Sequence, residues 1–179
     1  MCDIPTIQTA RLTLRAFRLD DLAGLHSIHQ DPLVMKHTGG TERFSDETAT
    51  RDYMAMRLGD WRLHGYGRWA VEERSTGCLV GRAGPATVKN FQEPELGWTL
   101  ARHYWGKGYA TEAANASLGY LFDSLGVDRV ISLIAPANTA SIAVAERIGE
   151  RFEGRVLGDG EVFCLYALNR RDRPQAVGT

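Results

Sequence analysis

No apolar run in this sequence approaches the length of a membrane-crossing helix, which excludes a helical span. Cysteine is scarce as well. Cys2, Cys78 and Cys164 are odd in number, lie far apart, and form neither a CxxC pair nor a cluster with paired histidines. That pattern argues against a disulfide framework and against any metal site, and fits a reducing compartment. Excess charge of one sign is missing too: 21 Lys and Arg face 22 Asp and Glu. No net field therefore draws the chain to nucleic-acid phosphates or anionic lipid, and neither nucleic acid nor membrane is expected as a direct partner. Met1 to Pro5 carry no basic or apolar leader, so the expected location is cytoplasmic. Repeats and low-complexity tracts are absent. What is present, 179 residues of which 44% are hydrophobic, suits one core. The expectation is a single domain over 1–179, with its core over about 8–169 and a solvated tail over 170–179.

The pattern of side chains predicts mixed secondary structure. Residues 11–17 alternate polar and apolar, the period of a strand with one buried face. Asp20 and Asp21 precede Leu22, Leu25 and Ile28, a helical stripe with acids at its positive end, and Asp31-Pro32 ends it. A second helix is predicted from a Ser45 cap, followed by Asp46 and Glu47, to about Leu63, with Met54, Leu58 and Trp61 on one face. Between them, the loop Met35 to Arg43 with Gly39-Gly40 is of the kind that shapes substrate sites. Strands over 68–73, 78–88 and 95–101 read as an antiparallel meander. A helix over 108–125 follows, its stripe of Ala110, Ala113, Ala114, Ser117, Leu118, Leu121, Phe122 and Leu125 small at the start, which permits close packing on a sheet. The run 130–134 suits a central strand, and a strand, helix, strand order favours a parallel crossover. A helix over 139–148 leads to two strands, 152–157 and 161–168, joined by Gly158-Asp159-Gly160, a hairpin signal.

The informative junction is Arg102 to Ala113, where a turn with two glycines, Gly106 and Gly108, feeds a helix. Unbonded N–H groups in a first helical turn, with the helix dipole behind them, attract anions, and glycine lets a phosphate approach the backbone. Lys107 adds charge and Thr111 a hydroxyl. Two nucleotide patterns fail here. A dinucleotide fingerprint needs glycine where Thr111 stands, and a nucleoside-triphosphate loop needs glycine at Ala101 and Ser or Thr at Gly108. A coenzyme A pyrophosphate at a strand-to-helix turn remains.

At this point blocks along nearly the whole chain carry a resemblance. They are Thr9-Ala10-Arg11-Leu12-Thr13-Leu14-Arg15, Asp31-Pro32-Leu33-Val34-Met35, Glu95-Leu96-Gly97-Trp98, Tyr104 to Ala113, Asn138-Thr139-Ala140-Ser141-Ile142, and Arg147-Ile148-Gly149. In this order they resemble the GNAT superfamily of N-acetyltransferases, and within it the branch of RimJ and RimL, the ribosomal-protein N-terminal acetyltransferases. The family motif Gln/Arg-x-x-Gly-x-Gly/Ala falls with its small positions on Gly108 and Ala110 and its first position on Trp105, a departure usual in this branch. Another departure stands at Gly149-Glu150-Arg151, where the family commonly has Gly-Phe; the aromatic moves to Phe152, at the edge of the acceptor pocket.

The resemblance implies an α+β fold: a central mixed, mostly antiparallel sheet of about seven strands, splayed between the fourth and fifth, with about four flanking helices. It also implies acetyl-CoA as cosubstrate, no metal, and direct transfer of acetyl to a primary amine through a tetrahedral oxyanion. The residues implied at the coenzyme are Trp105, Gly106, Lys107, Gly108, Tyr109, Ala110 and Thr111 around the pyrophosphate. Thr99, Leu100, Ala101 and Asn138 are implied along the pantetheine arm. Glu95 is placed as catalytic base and Ser141 as proton donor to the leaving thiol. Plainer readings exist: Glu95 as a solvated strand-end carboxylate, Asn138 as a helix cap, Ser141 as a first-turn residue. The acceptor is a peptide N-terminus first, then a small amine, amino acid or antibiotic. A non-catalytic acyl-CoA-binding module is the alternative of a different class, and the assembly is left open between monomer and homodimer. His26 and His29 lack a third ligand and are read as surface residues. Gly65-Tyr66-Gly67 reads as a plain turn, and Trp61, Trp69 and Trp98 as core or pocket walls.

Overall fold

The computed structural model describes residues 3–158 and 160–173. Eight strands form one sheet in the order β1-β2-β3-β4-β5-β6-β8-β7. β1 (Ile7–Gln8) and β2 (Leu12–Arg15) form a short hairpin, and β3 (Trp69–Glu73), β4 (Leu79–Ala86) and β5 (Glu95–Leu100) extend it as the expected antiparallel meander. β6 (Arg129–Ile134) runs parallel to β5, and the hairpin of β7 (Arg151–Gly158) and β8 (Glu161–Asn169) completes the far edge. Asp159, in the glycine turn of that hairpin, lies outside the described residues. So does most of the expected tail, although Arg170–Asp172 form a 3-10 turn. Among the described residues no helix is long and apolar enough to cross a membrane.

The expected splay is at β5 and β6. They pair at one register position, Glu95 with Ile131, where Ile131 N–H donates to Pro94 O at 3.1 Å. Beyond it the two strands part. This is the fourth-to-fifth pair of the sequence reading; β1 raises the count to eight.

The helices are α1 (Leu22–Gln30), α2 (Pro32–Met35), α3 (Glu47–His64), α4 (Tyr109–Gly119) and α5 (Thr139–Arg147). α1 buries Leu22, Leu25 and Ile28 as its stripe predicts. Several local expectations are corrected. Asp21 stands at the start of α1 as read, but it is also buried and takes both ends of the Arg15 guanidinium, at 2.7 and 2.8 Å, while Glu72 binds Arg15 Nε at 2.8 Å. These carboxylates hold the Arg15 charge well above the usual range. α3 is capped by Asp46, which accepts from Ala49 N–H at 2.8 Å, rather than by Ser45. The loop after α1 holds the one-turn α2, for which Asp31 serves as cap. His29 is fully buried rather than superficial: its ring stacks on Phe44 at 3.7 Å, and burial, aided by the nearby Arg82 charge, pushes it down to about 3, so it stays neutral. α4 ends at Gly119 and widens into a π turn over Tyr120–Ser124, leaving Leu125 39% exposed. Its small residues do pack on the sheet: Ala114 and Leu118 join Leu96 of β5 and Val130 of β6 in one cluster.

Candidate functional site

The site begins where β5 ends. Ala101 leads into a 3-10 turn over Arg102–Tyr104, then Gly106 and Gly108 take left-handed backbone angles, φ 75° and 78°, and Gly108 caps α4. L side chains avoid this region, so two glycines in three residues let the chain reverse sharply at the strand end. Residues 106–111 donate no backbone hydrogen bond among the described residues; the first amide used is that of Glu112, to Gly108 O at 3.0 Å. A Cβ on Gly106 would meet nothing within 4 Å, and one on Gly108 only the Arg11 terminus at 3.4 Å. A row of free donors at a helix N-terminus, open on its outer side, fits a pyrophosphate.

Neighbours brace the turn. The exposed Trp105 folds its indole N–H back onto Leu100 O at 2.9 Å, tying the turn to the strand end. Lys107 Nζ lies 5.2 Å from the Tyr104 ring centroid. Tyr109 is buried, its hydroxyl bonded to Glu73 and its ring 4.6 Å from the Arg11 guanidinium. Ala110 is half-buried, and Thr111 accepts from Arg147 at 3.1 Å, keeping its own hydroxyl proton to donate. Arg11 donates to Lys107 O at 2.8 Å and, with Thr9, clasps Glu112 in the first turn of α4. Arg11, Arg74, Ala10, Ser75 and Tyr109 line a depression of about 480 Å³ beside the turn. Arg11 and Arg147, from remote parts of the chain, are cations at the turn that no local motif reveals. Trp105→Phe, which deletes only the indole donor, is expected to weaken acetyl-CoA binding about fivefold by calorimetry, the worth of roughly one hydrogen bond.

Along β5 the ladder decides which amides face the gap. Ala101 N–H is spent on Val80 O at 2.9 Å, and Thr99, directly opposite Arg82, turns the same way by alternation. Leu100 turns the other way. Of Thr99, Leu100 and Ala101, expected with Asn138 along the pantetheine arm, Leu100 alone presents its amide to the splay, and Trp98, absent from that expectation, does so as well. Asn138 caps α5, its Oδ1 accepting from Ser141 N–H at 3.2 Å. The Ser141 hydroxyl, half-buried, makes no hydrogen bond among the described residues.

Glu95 stands at the last paired position before the splay, only partly exposed, with Oε2 bound to Arg68. Arg68 also donates to Gly84 O, and its guanidinium covers Gly97 so closely that a Cβ there would lie 2.7 Å from its nitrogens. A larger residue at 97 would have to push the Arg68 terminus off its partners Glu95 and Gly84. Behind the splay lies a carboxyl that sequence reasoning noticed only as a departure. Glu150 is 2% exposed; Oε1 lies 2.9 Å from Ser132 Oγ, which lies 2.8 Å from Leu96 O, and Oε2 has no partner. A hydroxyl has one proton. With Ser132 giving it to the Leu96 carbonyl, a neutral Glu150 supplies the proton on the other bond, an arrangement that satisfies both contacts. Burial, reinforced by the charge of Glu95 and opposed by the Ser132 bond, pushes Glu150 up to about 8. Among the described residues no group of three or more His, Cys, Asp or Glu is placed to hold a metal ion.

Comparison with known proteins identifies the family and the fold. The profile of the acetyltransferase (GNAT) domain matches residues 11–151. YkkB of Bacillus subtilis (strain 168), an uncharacterized protein, is 35% identical over 161 residues, 88% of this chain and 92% of its own. Among solved structures, an acetyltransferase from Agrobacterium tumefaciens str. C58 superposes with a TM-score of 0.82 at 32% identity, covering 93% of this chain and 95% of its own. RimJ of Mycobacterium smegmatis, solved in complex with CoA-disulfide, shares the fold with a TM-score of 0.74 at 24% identity over 92% of this chain and 85% of its own.

Proposed function

This chain belongs to the GNAT acetyltransferase family, and on that premise we propose that it transfers acetyl from acetyl-CoA directly to a primary amine, foremost a peptide N-terminus. The observation that carries this reading is the row of unpaired amides over 106–111, set where β5 leaves its parallel neighbour. In the proposal those amides, with Arg11, Lys107 and Thr111, hold the pyrophosphate, and Asn138 approaches the pantetheine arm in the gap. The acceptor nitrogen attacks the thioester carbonyl carbon from the Glu95 side, and Ser141 acts at the thiolate as a relay, taking a proton from solvent as it passes its own on. Negative charge then develops on the carbonyl oxygen, and the Trp98 or Leu100 amide is aimed at it. Collapse of the tetrahedral adduct breaks the C–S bond; the acetyl stays on nitrogen, the amine proton passes to Glu95 or water, and the thiolate takes a proton from Ser141.

The acceptor's own acidity sets how much Glu95 contributes. A peptide α-amine, near 7.7 to 8.0, is already about a tenth neutral at pH 7, whereas a lysine near 10.4 is almost wholly charged. Glu95→Gln is therefore expected to slow transfer to a peptide N-terminus about tenfold at pH 7 and scarcely at pH 9. Thiol release measured from pH 6 to 9 checks this, and an unchanged profile would remove Glu95 as the base. Release of thiol with an amine panel also separates an enzyme from a protein that only binds acyl-CoA.

A further inference from the structure

On the sheet face that carries Glu95, arginines gather with too few acids to balance them. Arg82 of β4 is opposite Thr99, so the alternation of the strands puts it on the same face as Thr99, Gly97 and Glu95. Tyr53 of α3 lies over it, its ring centroid 4.8 Å from the Arg82 guanidinium and 5.3 Å from that of Arg57. Arg43 sits 5.8 Å from the neighbouring Phe44 ring, and the charges of Arg68, Arg43 and Arg57 all bear on Arg82. Two carboxylates answer four guanidiniums: Asp60 binds Arg57 at 3.0 Å and Glu95 binds Arg68. Among the described residues Arg82 makes neither an ion pair nor a hydrogen bond. Its Nε is buried without a partner, as are Arg57 Nε and the Tyr53 hydroxyl. His29, packed against Tyr53 at 5.5 Å, is neutral and supplies no counter-charge.

Arg82 is half-buried with its Nε shut off from solvent; leaving a partly buried guanidinium without an anionic partner is costly, and three orphaned buried donors beside one aromatic ring repeat that cost. An anion with two oxygens suits the unpaired Arg82, because the planar fork of arginine matches a carboxylate bidentately. The place is also telling. Along the strand, Thr99 is four residues from Glu95, about 13 Å, so a group at Arg82 shares a face with an amine at Glu95 and lies within reach of a short acceptor. We infer that the Arg82–Tyr53–Arg57 cluster is the acceptor-recognition site and that it takes a carboxylate carried by the amine acceptor. This rests on the acetyl-transfer reading and adds the acceptor's charge to it.

Matched acceptors test it: the peptide amides Ala-Glu-Ala and Ala-Gln-Ala, and alanine beside alaninamide. The carboxylate member of at least one pair should show kcat/KM on the order of 100-fold higher, the usual cost of leaving a buried charge without its partner. A preference in the peptide pair assigns an acidic side chain near a peptide N-terminus; one in the alanine pair assigns an α-carboxylate. Arg82→Gln should bring the preference to about threefold or less while acetyl-CoA affinity holds, and Arg82→Lys should retain part of it. Equal turnover within both wild-type pairs overturns the inference and leaves the transferase reading intact. If no amine is acetylated, the transferase reading fails by itself. Calorimetric titration of the same pairs into the CoA-loaded protein then decides the inference, with equal binding within both pairs overturning it.

Discussion

Gly108→Val is expected to lower acetyl-CoA affinity by at least about 100-fold while the rest of the fold persists. The reason is local. Gly108 sits at φ 78°, a region in which a β-branched residue is strained by roughly 1–3 kcal/mol, and it is the residue from which α4 starts. A valine relieves the strain by turning the backbone, and that turns the amides of Tyr109, Ala110 and Thr111 away from a common point. The turned backbone also moves Lys107 O, which the Arg11 guanidinium joins to Glu112, so the brace across the turn loosens with it. Calorimetric titration of acetyl-CoA, with thermal unfolding as the control for the fold, measures the effect. Retained affinity would remove the turn from the coenzyme site.

The second large effect concerns stability. Glu150→Gln is expected to match the wild type near pH 4.5 and to exceed it by on the order of 3–5 kcal/mol at pH 8.5. The sign follows from the proton count. The unfolded chain releases the Glu150 proton near its ordinary 4.5, whereas the folded chain holds it up to about 8. Between those values folding takes up a proton, so wild-type stability falls as pH rises and levels off once the buried carboxylate is charged. Glutamine keeps the donor toward Ser132 without an ionisable group, which removes this fall. Denaturant unfolding of both proteins at matched pH from 4.5 to 8.5 reports the difference. Parallel curves would mean that Glu150 is charged in the folded protein throughout that range.

What the sequence disclosed, and what it hid, divides by range. The glycine turn, the small stripe of α4, the meander and the β7–β8 hairpin are local patterns, and each was legible with boundaries off by a few residues. Local ambiguity accounts for the smaller misses: Ser45 and Asp46 are both good caps, and Asp46 holds the position. Asp21 does start the helix, but nothing local shows that Arg15, six residues earlier on a strand, closes on it. The two charge constellations that matter most to the site depend on folding distance. Glu150 acquires its character from Ser132 and Leu96, 18 and 54 positions away. Arg82 acquires its from Tyr53 on α3 and from Arg43 beyond α2. No periodicity encodes such meetings. The choice of amides along β5 was likewise hidden, because whether Thr99 or Leu100 faces the gap follows from the register of β4 and β5.

Everything in the proposed chemistry presupposes that the turn from Trp105 to Thr111 grips the pyrophosphate of the coenzyme. A calorimetric comparison of acetyl-CoA with acetyl-pantetheine, which has the thioester arm but neither the pyrophosphate nor the 3′-phosphoadenosine, tests this grip most directly when run on both the wild type and Gly108→Val, the wild-type difference shrinking in the variant. Acetyl-CoA is predicted to bind in the micromolar range and acetyl-pantetheine on the order of 100-fold more weakly, the difference expected from several amide and cation contacts to phosphate. Equal affinities, or no binding of acetyl-CoA at all, would contradict the account.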